Sequence, residues 1–259
     1  MSDTAECKRT RQLDWHGCPP TQDRQDLFNR MGSDECILIT KHYWQTRPNN
    51  QLDGTLADFS VEYLEQRLNT GLNGGCRPGG VPQDYSGWLA IDIESPWWEP
   101  FRRPEDFTDE EAIDASLVYE AVICNVRMLR PNAKLTLYNM TAMNRERGYP
   151  IRWDLIVSMH ALCQGVSPSL YRHGWLDIEW DTRVTGRYVK TAMQLADALS
   201  IRCDGWPWHI IHGSGGVGLT ETETDDWYGR WNSEGFDGWI MYHGSSAPER
   251  YIEQLRALL

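Results

Sequence analysis

The amino-acid sequence predicts an α/β fold, a (β/α) barrel of the TIM type with seven or eight strands. Three observations predict it. Short apolar runs of strand length alternate with amphipathic helical stretches, the order that gives parallel strands joined by right-handed crossovers. The length, 259 residues, suits a barrel that closes on roughly 250 residues as one domain. No G-x-G-x-x-G or G-x-x-x-x-G-K-[ST] turn is present, so an open nucleotide-binding sheet would lack its phosphate loop. Neither a second composition regime nor a repeat divides the chain. Residues 1–259 therefore read as a single catalytic domain, with 1–34 as an N-terminal extension.

Each element follows from local pattern. Residues 36–42 form an apolar run of strand length, and 56–68 carry Leu56, Phe59, Tyr63, Leu64 and Leu68 at helical spacing. The Gly- and Pro-rich residues 70–86 are a loop. Residues 88–93 are a strand running into Glu94, and the Pro- and aromatic-rich 95–107 a long loop. Thr108 and Glu111 make a capping-box pattern for a helix that stops before Pro131. A strand at 134–138, a helix at 152–162 and a short strand within 165–171 come next. The chain continues with a helix at 184–199 and a strand at 207–212. Thr220 and Glu223 form a second capping box. A strand at 236–242 follows, and Ser246 opens a terminal helix.

Composition removes several classes of function. Hydrophobic residues at 41% and charged residues at 24% are those of an ordinary globular protein. No apolar run approaches the roughly 20 residues of a membrane span, so no membrane partner is expected. Met1–Gln12 is polar and lacks the apolar core of a signal peptide, which leaves the compartment open. A formal charge of −12 argues against nucleic acid as a partner. The seven cysteines are dispersed without a C-x-x-C pair. Cys36, Cys124 and Cys163 lie in apolar stretches as small core residues, while Cys18 could pair with Cys7 or Cys76. Thirteen tryptophans exceed what a core readily hides, because each indole N–H needs a partner, so some of them should line a cleft.

In a barrel of this kind the active site lies at the C-terminal ends of the strands. The polar residues there are His42, Asp92, Glu94, Tyr138, Asn139, Tyr171, His212, Tyr242 and His243. Asp92 and Glu94 are the sharpest candidates. Positions i and i+2 of a strand share a face, so both carboxylates enter the barrel mouth, about 6–7 Å apart at Cα. Two carboxylates held that close cannot both ionise freely, and one pKa should rise. A carboxyl that keeps its proton near neutrality can protonate a glycosidic oxygen. Trp97 and Trp98 follow at once and offer flat apolar faces for sugar C–H groups. The bland alternative makes Asp92 a loop cap, pairs Glu94 with Arg102 or Arg103, and folds the two tryptophans over the rim.

The segment Trp88–Arg102, a strand ending in Asp-x-Glu before a Trp- and Pro-rich loop, resembles the hyaluronidase family of glycoside hydrolases. Leu137-Tyr138-Asn139 is similar to that family's Tyr-bearing strand. Phe236–Tyr242 resembles its last strand, where an aromatic lines the sugar site, which brings in Trp239 and Tyr242. The Asp-x-Glu end is also similar to muramidase-type lysozymes. The resemblance implies a retaining, substrate-assisted hydrolase of glycans with N-acetylated sugars, working without a cofactor. Glu94 would be the general acid/base, and Asp92 would orient the acetamido group whose carbonyl oxygen attacks. The chain departs from the family in carrying Ile93 where a Trp separates the carboxylates. The predicted substrate-binding set is Trp97, Trp98, Tyr138, Asn139, Tyr171, His212, Trp239 and Tyr242, with an oligo- or polysaccharide as partner.

Two other functions fit the same residues. A metal-dependent hydrolase would use strand-end His42, His212 and His243 with the carboxylates, although no strand carries an H-x-H pair and His209 and His212 should face opposite sides. A non-catalytic sugar-binding barrel would keep the aromatic cleft and leave the acid idle. A second Asp-x-Glu, Asp177-Ile178-Glu179, is explained by acids favoured at a helix start, and Asp237 sits at the wrong end of its strand for catalysis.

Overall fold

The computed structural model describes residues 12–15, 22–31, 35–48, 51–72, 79–139, 152–242 and 247–257. Among the described residues seven strands carry the fold: β1 (Gln12–Trp15), β2 (Cys36–Thr40), β3 (Trp88–Asp92), β4 (Lys134–Tyr138), β5 (Gly165–Ser167), β6 (Arg202–Gly205) and β7 (Gly238–Met241). Their order is β1-β7-β6-β5-β4-β3-β2, and every pairing is parallel. Among the described strands the first in the sequence thus pairs with the last, and β1 and β2 stand at the two ends of the order, the strand succession of a TIM-type barrel. The helices among the described residues are α1 (Gln22–Met31), α2 (Val61–Thr70), α3 (Glu99–Arg102), α4 (Asp109–Leu129), α5 (Trp153–His160), α6 (Ile178–Leu199), α7 (Glu221–Asn232) and α8 (Glu249–Ala257).

Local chemistry sets the helix ends. Both capping boxes form: the Thr108 and Thr220 hydroxyls accept from the N–H of Glu111 and Glu223, whose carboxylates accept from the N–H of Thr108 and Thr220. Asp177 caps α6 by accepting from the Trp180 N–H at 2.8 Å, so the second Asp-x-Glu is a helix start. Several elements differ from expectation. The segment 1–34, expected as an extension, supplies β1 and α1. The strand expected at 207–212 lies at 202–205, because Trp206–His212 leaves the ladder and pairs only through isolated bridges. The helix expected from 184 begins at 178. The loop 95–107 contains α3. Ser246 lies outside the described residues, and α8 begins at Glu249.

Strand periodicity divides the interior into two layers. Leu89 and Ile91 of β3, Leu135 and Leu137 of β4, and Trp239 and Met241 of β7 pack outward with the apolar faces of the helices. The alternate residues Cys36, Trp88, Ala90 and Ile240 point inward, joined above by Tyr171 and Trp206. Thr136 and Ser167 share a 2.8 Å hydrogen bond between β4 and β5. Continued past the strand ends, the inward series delivers Asp92 and Glu94, Tyr138, Tyr171, Trp208 and Tyr242 to one mouth. Cys36 and Cys163 are buried as expected, whereas Cys124 faces solvent on α4. Cys7, Cys18 and Cys76 lie outside the described residues.

Candidate active site

The mouth of the barrel holds a cavity of about 380 Å³. It gathers eight of the predicted residues: Asp92, Glu94, Trp98, Tyr138, Asn139, Tyr171, His212 and Tyr242. Two others fall outside it. Trp97 is fully buried beside Trp44, with ring centres 6.3 Å apart. Trp239 is fully buried against Phe236 and Tyr228. The reason for the second is parity. Trp239 and Tyr242 are three apart, so they cannot share a face of one strand, and Tyr242 has the inward one.

The carboxylate pair is positioned by β2, β3 and α4. Strand β2 pairs with β3 in a register that sets Thr40 opposite Asp92, so Lys41 arrives beside the residues that follow. Its ammonium donates to the Ser95 carbonyl at 3.1 Å and lies 3.8 Å from Glu94. Between the two acids, Ile93 turns into the outer core, and the Tyr119 hydroxyl of α4 donates to its carbonyl at 3.1 Å. The acids thus project into the cavity from a backbone pinned on its far side. Asp92 sits at the foot, half-buried, while the Glu94 side chain keeps 52% of its surface exposed. The expected cationic partners are otherwise engaged: Arg103 pairs with Glu99 and Asp106, and Arg102 stacks on Trp98.

Burial and the neighbouring Glu94 push the Asp92 carboxyl up to about 7, with Lys41 opposing them. One carboxyl of the pair therefore holds a proton near neutrality, and it is Asp92. Burial, together with the charge of Asp92, also raises the hydroxyls of Tyr138 and Tyr242, and Glu94 adds to the shift at Tyr242. Both tyrosines stay protonated and offer O–H donors beside the carboxylates.

The remaining wall is aromatic. The Tyr171 ring lies 5.2 Å from Trp208, 5.5 Å from Tyr242 and 5.7 Å from His212. Helix α7 holds the two segments that carry these rings. The Trp227 indole donates to the Leu170 carbonyl at 2.7 Å, and the Tyr228 hydroxyl donates to the Trp208 carbonyl and accepts from its N–H. Further lining comes from Arg102, Ser169, His173, Trp175, Tyr188 and Trp208, which sequence reasoning missed. A usable signal existed: Ser169, Tyr171 and His173 continue the inward series of β5, and Trp206 and Trp208 that of β6.

Among the described residues, His42 and His212 of the metal-dependent alternative do not converge. His42 lines a separate groove between α2 and the residues after β2, His212 is in the mouth cavity, and His243 lies outside the described residues. Among the described residues no cluster of three His, Cys, Asp or Glu side chains is placed to hold a metal ion. His209 and His212 do face apart, the His209 ring packing on Tyr251 at 5.6 Å. Asp177 and Glu179 stand at the α6 N-terminus and do not line the cavity. Asp237 accepts from the Cys203 N–H at 2.9 Å, a structural tie at the opposite end of the barrel.

No family model and no curated protein matches the sequence. The fold does match solved structures. Bee venom hyaluronidase in a monoclinic crystal superimposes with a TM-score of 0.63 at 13% identity over 96% of both chains. The same enzyme in complex with a hyaluronic acid tetramer gives 0.64 at 14% identity over 95% of both. The chain therefore has the TIM-barrel fold of that glycoside hydrolase over nearly its whole length.

Proposed function

We propose that the protein is a glycoside hydrolase that cleaves glycans containing N-acetylated sugars, with Glu94 as general acid/base and Asp92 orienting the substrate's acetamido group. The observation that carries this reading is the Asp92–Glu94 pair opening together into an aromatic-walled cavity. The fold shared with bee venom hyaluronidase supports it, one structure of which holds a hyaluronic acid tetramer.

The two acids divide the work by environment. Glu94 is the more exposed of the two and reaches the open side of the cavity, where a leaving oxygen and then a water can meet it, so the proton transfers are assigned to it. Asp92 is deeper and less able to hold charge alone. An acetamido N–H donating to it stabilises its ionised form and turns the amide oxygen toward the anomeric carbon. Both acids sit on one strand face, whereas a protein nucleophile in a retaining enzyme must oppose the acid across the scissile bond at about 5–5.5 Å. A nucleophile supplied by the substrate removes that requirement. In this reading the Tyr138 and Tyr242 hydroxyls, which share the cavity with Asp92, hold the same group.

Matched oligosaccharides with and without the 2-acetamido group at the cleaved residue test this chemistry. The acetamido substrate alone should be cleaved, and a thiazoline mimic of the cyclised intermediate should inhibit. Equal rates on both substrates would show that the nucleophile comes from the protein.

A further inference from the structure

We propose that Lys41 is a positioning residue of the carboxylate pair: its ammonium fixes Glu94 and the turn after β3, and its charge sets the pH at which the two acids give up the proton they share; this rests on the acid–base reading of the same cavity. A lysine is seldom buried unless its charge is matched, yet the Lys41 side chain keeps only 11% of its surface exposed. The backbone directs it there. β2 ends at Thr40, and a single 3₁₀ turn, Lys41–Tyr43, follows. The Lys41 carbonyl accepts from the Trp44 and Gln45 N–H groups at 3.2 and 3.0 Å. This turn seats Trp44 against Trp97 of the loop after β3, both fully buried. The two segments are thus clamped side by side, and the Lys41 ammonium meets the Ser95 carbonyl and the Glu94 carboxylate between them.

The charge matters as well as the hydrogen bond. A glutamine could satisfy the Ser95 carbonyl, but it would leave the acids unopposed. With one proton between Asp92 and Glu94, the cluster of Lys41 and the two acids is neutral, and loss of that proton leaves a single negative charge. Without the ammonium the same loss would leave two, where burial already penalises charge. Lys41 therefore draws Asp92 back from the rise imposed by burial and by Glu94. The other titratable groups facing Asp92 are Tyr119 of α4, Tyr138 at the end of β4, Tyr171 beyond β5 and Tyr242 beyond β7. Burial first, with the Asp92 charge among the further causes, raises all four, so they stay neutral. His173, His212 and Arg102 line the same cavity, and Arg102 lies over the Trp98 ring at 5.0 Å. Acid catalysis needs the state with one proton, so Lys41 sets where its alkaline limb falls.

The test reads Asp92 directly, by carbon-13 titration of its carboxyl in protein labelled at aspartate, with Asp92→Asn to identify the signal. Lys41→Met keeps the stem and loses the charge. Asp92 should then hold its proton about tenfold more tightly, the low end of the effect of an opposite charge nearby. Lys41→Gln, which can still reach the Ser95 carbonyl, should do the same. Lys41→Arg keeps the charge and should stay close to the parent. On an N-acetylated glycan, kcat of Lys41→Met should fall about tenfold with KM nearly unchanged, and its alkaline limb should move to higher pH. A lysine that only braced the fold would lower the melting temperature when replaced and leave the Asp92 midpoint where it was. That result, or a folded Lys41→Arg protein that matches Lys41→Met, would overturn the proposal. The carboxyl titration needs no turnover. A parent that cleaves nothing while the midpoint moves sinks the hydrolase reading and leaves the hold of Lys41 on the pair standing.

Discussion

At the scale of single residues, the site depends on one carboxyl that resists ionisation. Asp92 titrates near 7 because burial and Glu94 both disfavour its charge. The sign of its effect on stability follows. A carboxyl raised above its unfolded value stabilises the fold fully below pH about 4, where it is protonated in both states, and that contribution is lost as pH rises through about 7. Asp92→Asn should therefore be more stable than the parent at pH 8, by on the order of 2–4 kcal/mol. The gap should close below pH 4, even as activity falls. Denaturant titration across that range checks it; a constant difference would mean that Asp92 ionises normally. The pair was legible in the sequence, because strand periodicity alone puts Asp92 and Glu94 on one face. Which of the two would hold the proton was not legible, since it depends first on how deeply each is buried, which only the packed barrel mouth decides.

At the scale of elements, what could be read depended on parity and register. Helix starts were plain because their signals are local: both capping boxes formed on the residues that announced them. Strand β6 was misplaced because Pro207–His212 is as apolar as a strand, and only the partners show that the ladder ends at Gly205. Trp239 was misassigned for want of one count along its strand. Its true seat explains Gly205: a Cβ there would lie 2.6 Å from the Trp239 ring and 2.7 Å from Leu170. Gly205→Ala should therefore cost about 1–3 kcal/mol by overpacking. A thermal or denaturant melt measures this, and a neutral outcome would show that the indole has room to move.

At the scale of the whole molecule, seven parallel strands bring together residues that are remote in the sequence. The carboxylates come from β3, near position 92, and the aromatic wall from the ends of β4 to β7, between 138 and 242. β1 stayed hidden in the sequence because it is four residues long and becomes a strand only beside β7. A fold shared over 95% of the chain at 14% identity was reached with different residues, so the chemistry has to follow from this chain's own side chains. The most direct test is the release of reducing ends from an N-acetylated glycan by the parent protein and by Glu94→Gln, with the fold of both checked by circular dichroism. The parent should cleave, and the folded variant should lose about two to four decades in kcat, the usual worth of general acid–base catalysis. A folded Glu94→Gln protein that turns over at the parent's rate would contradict the account.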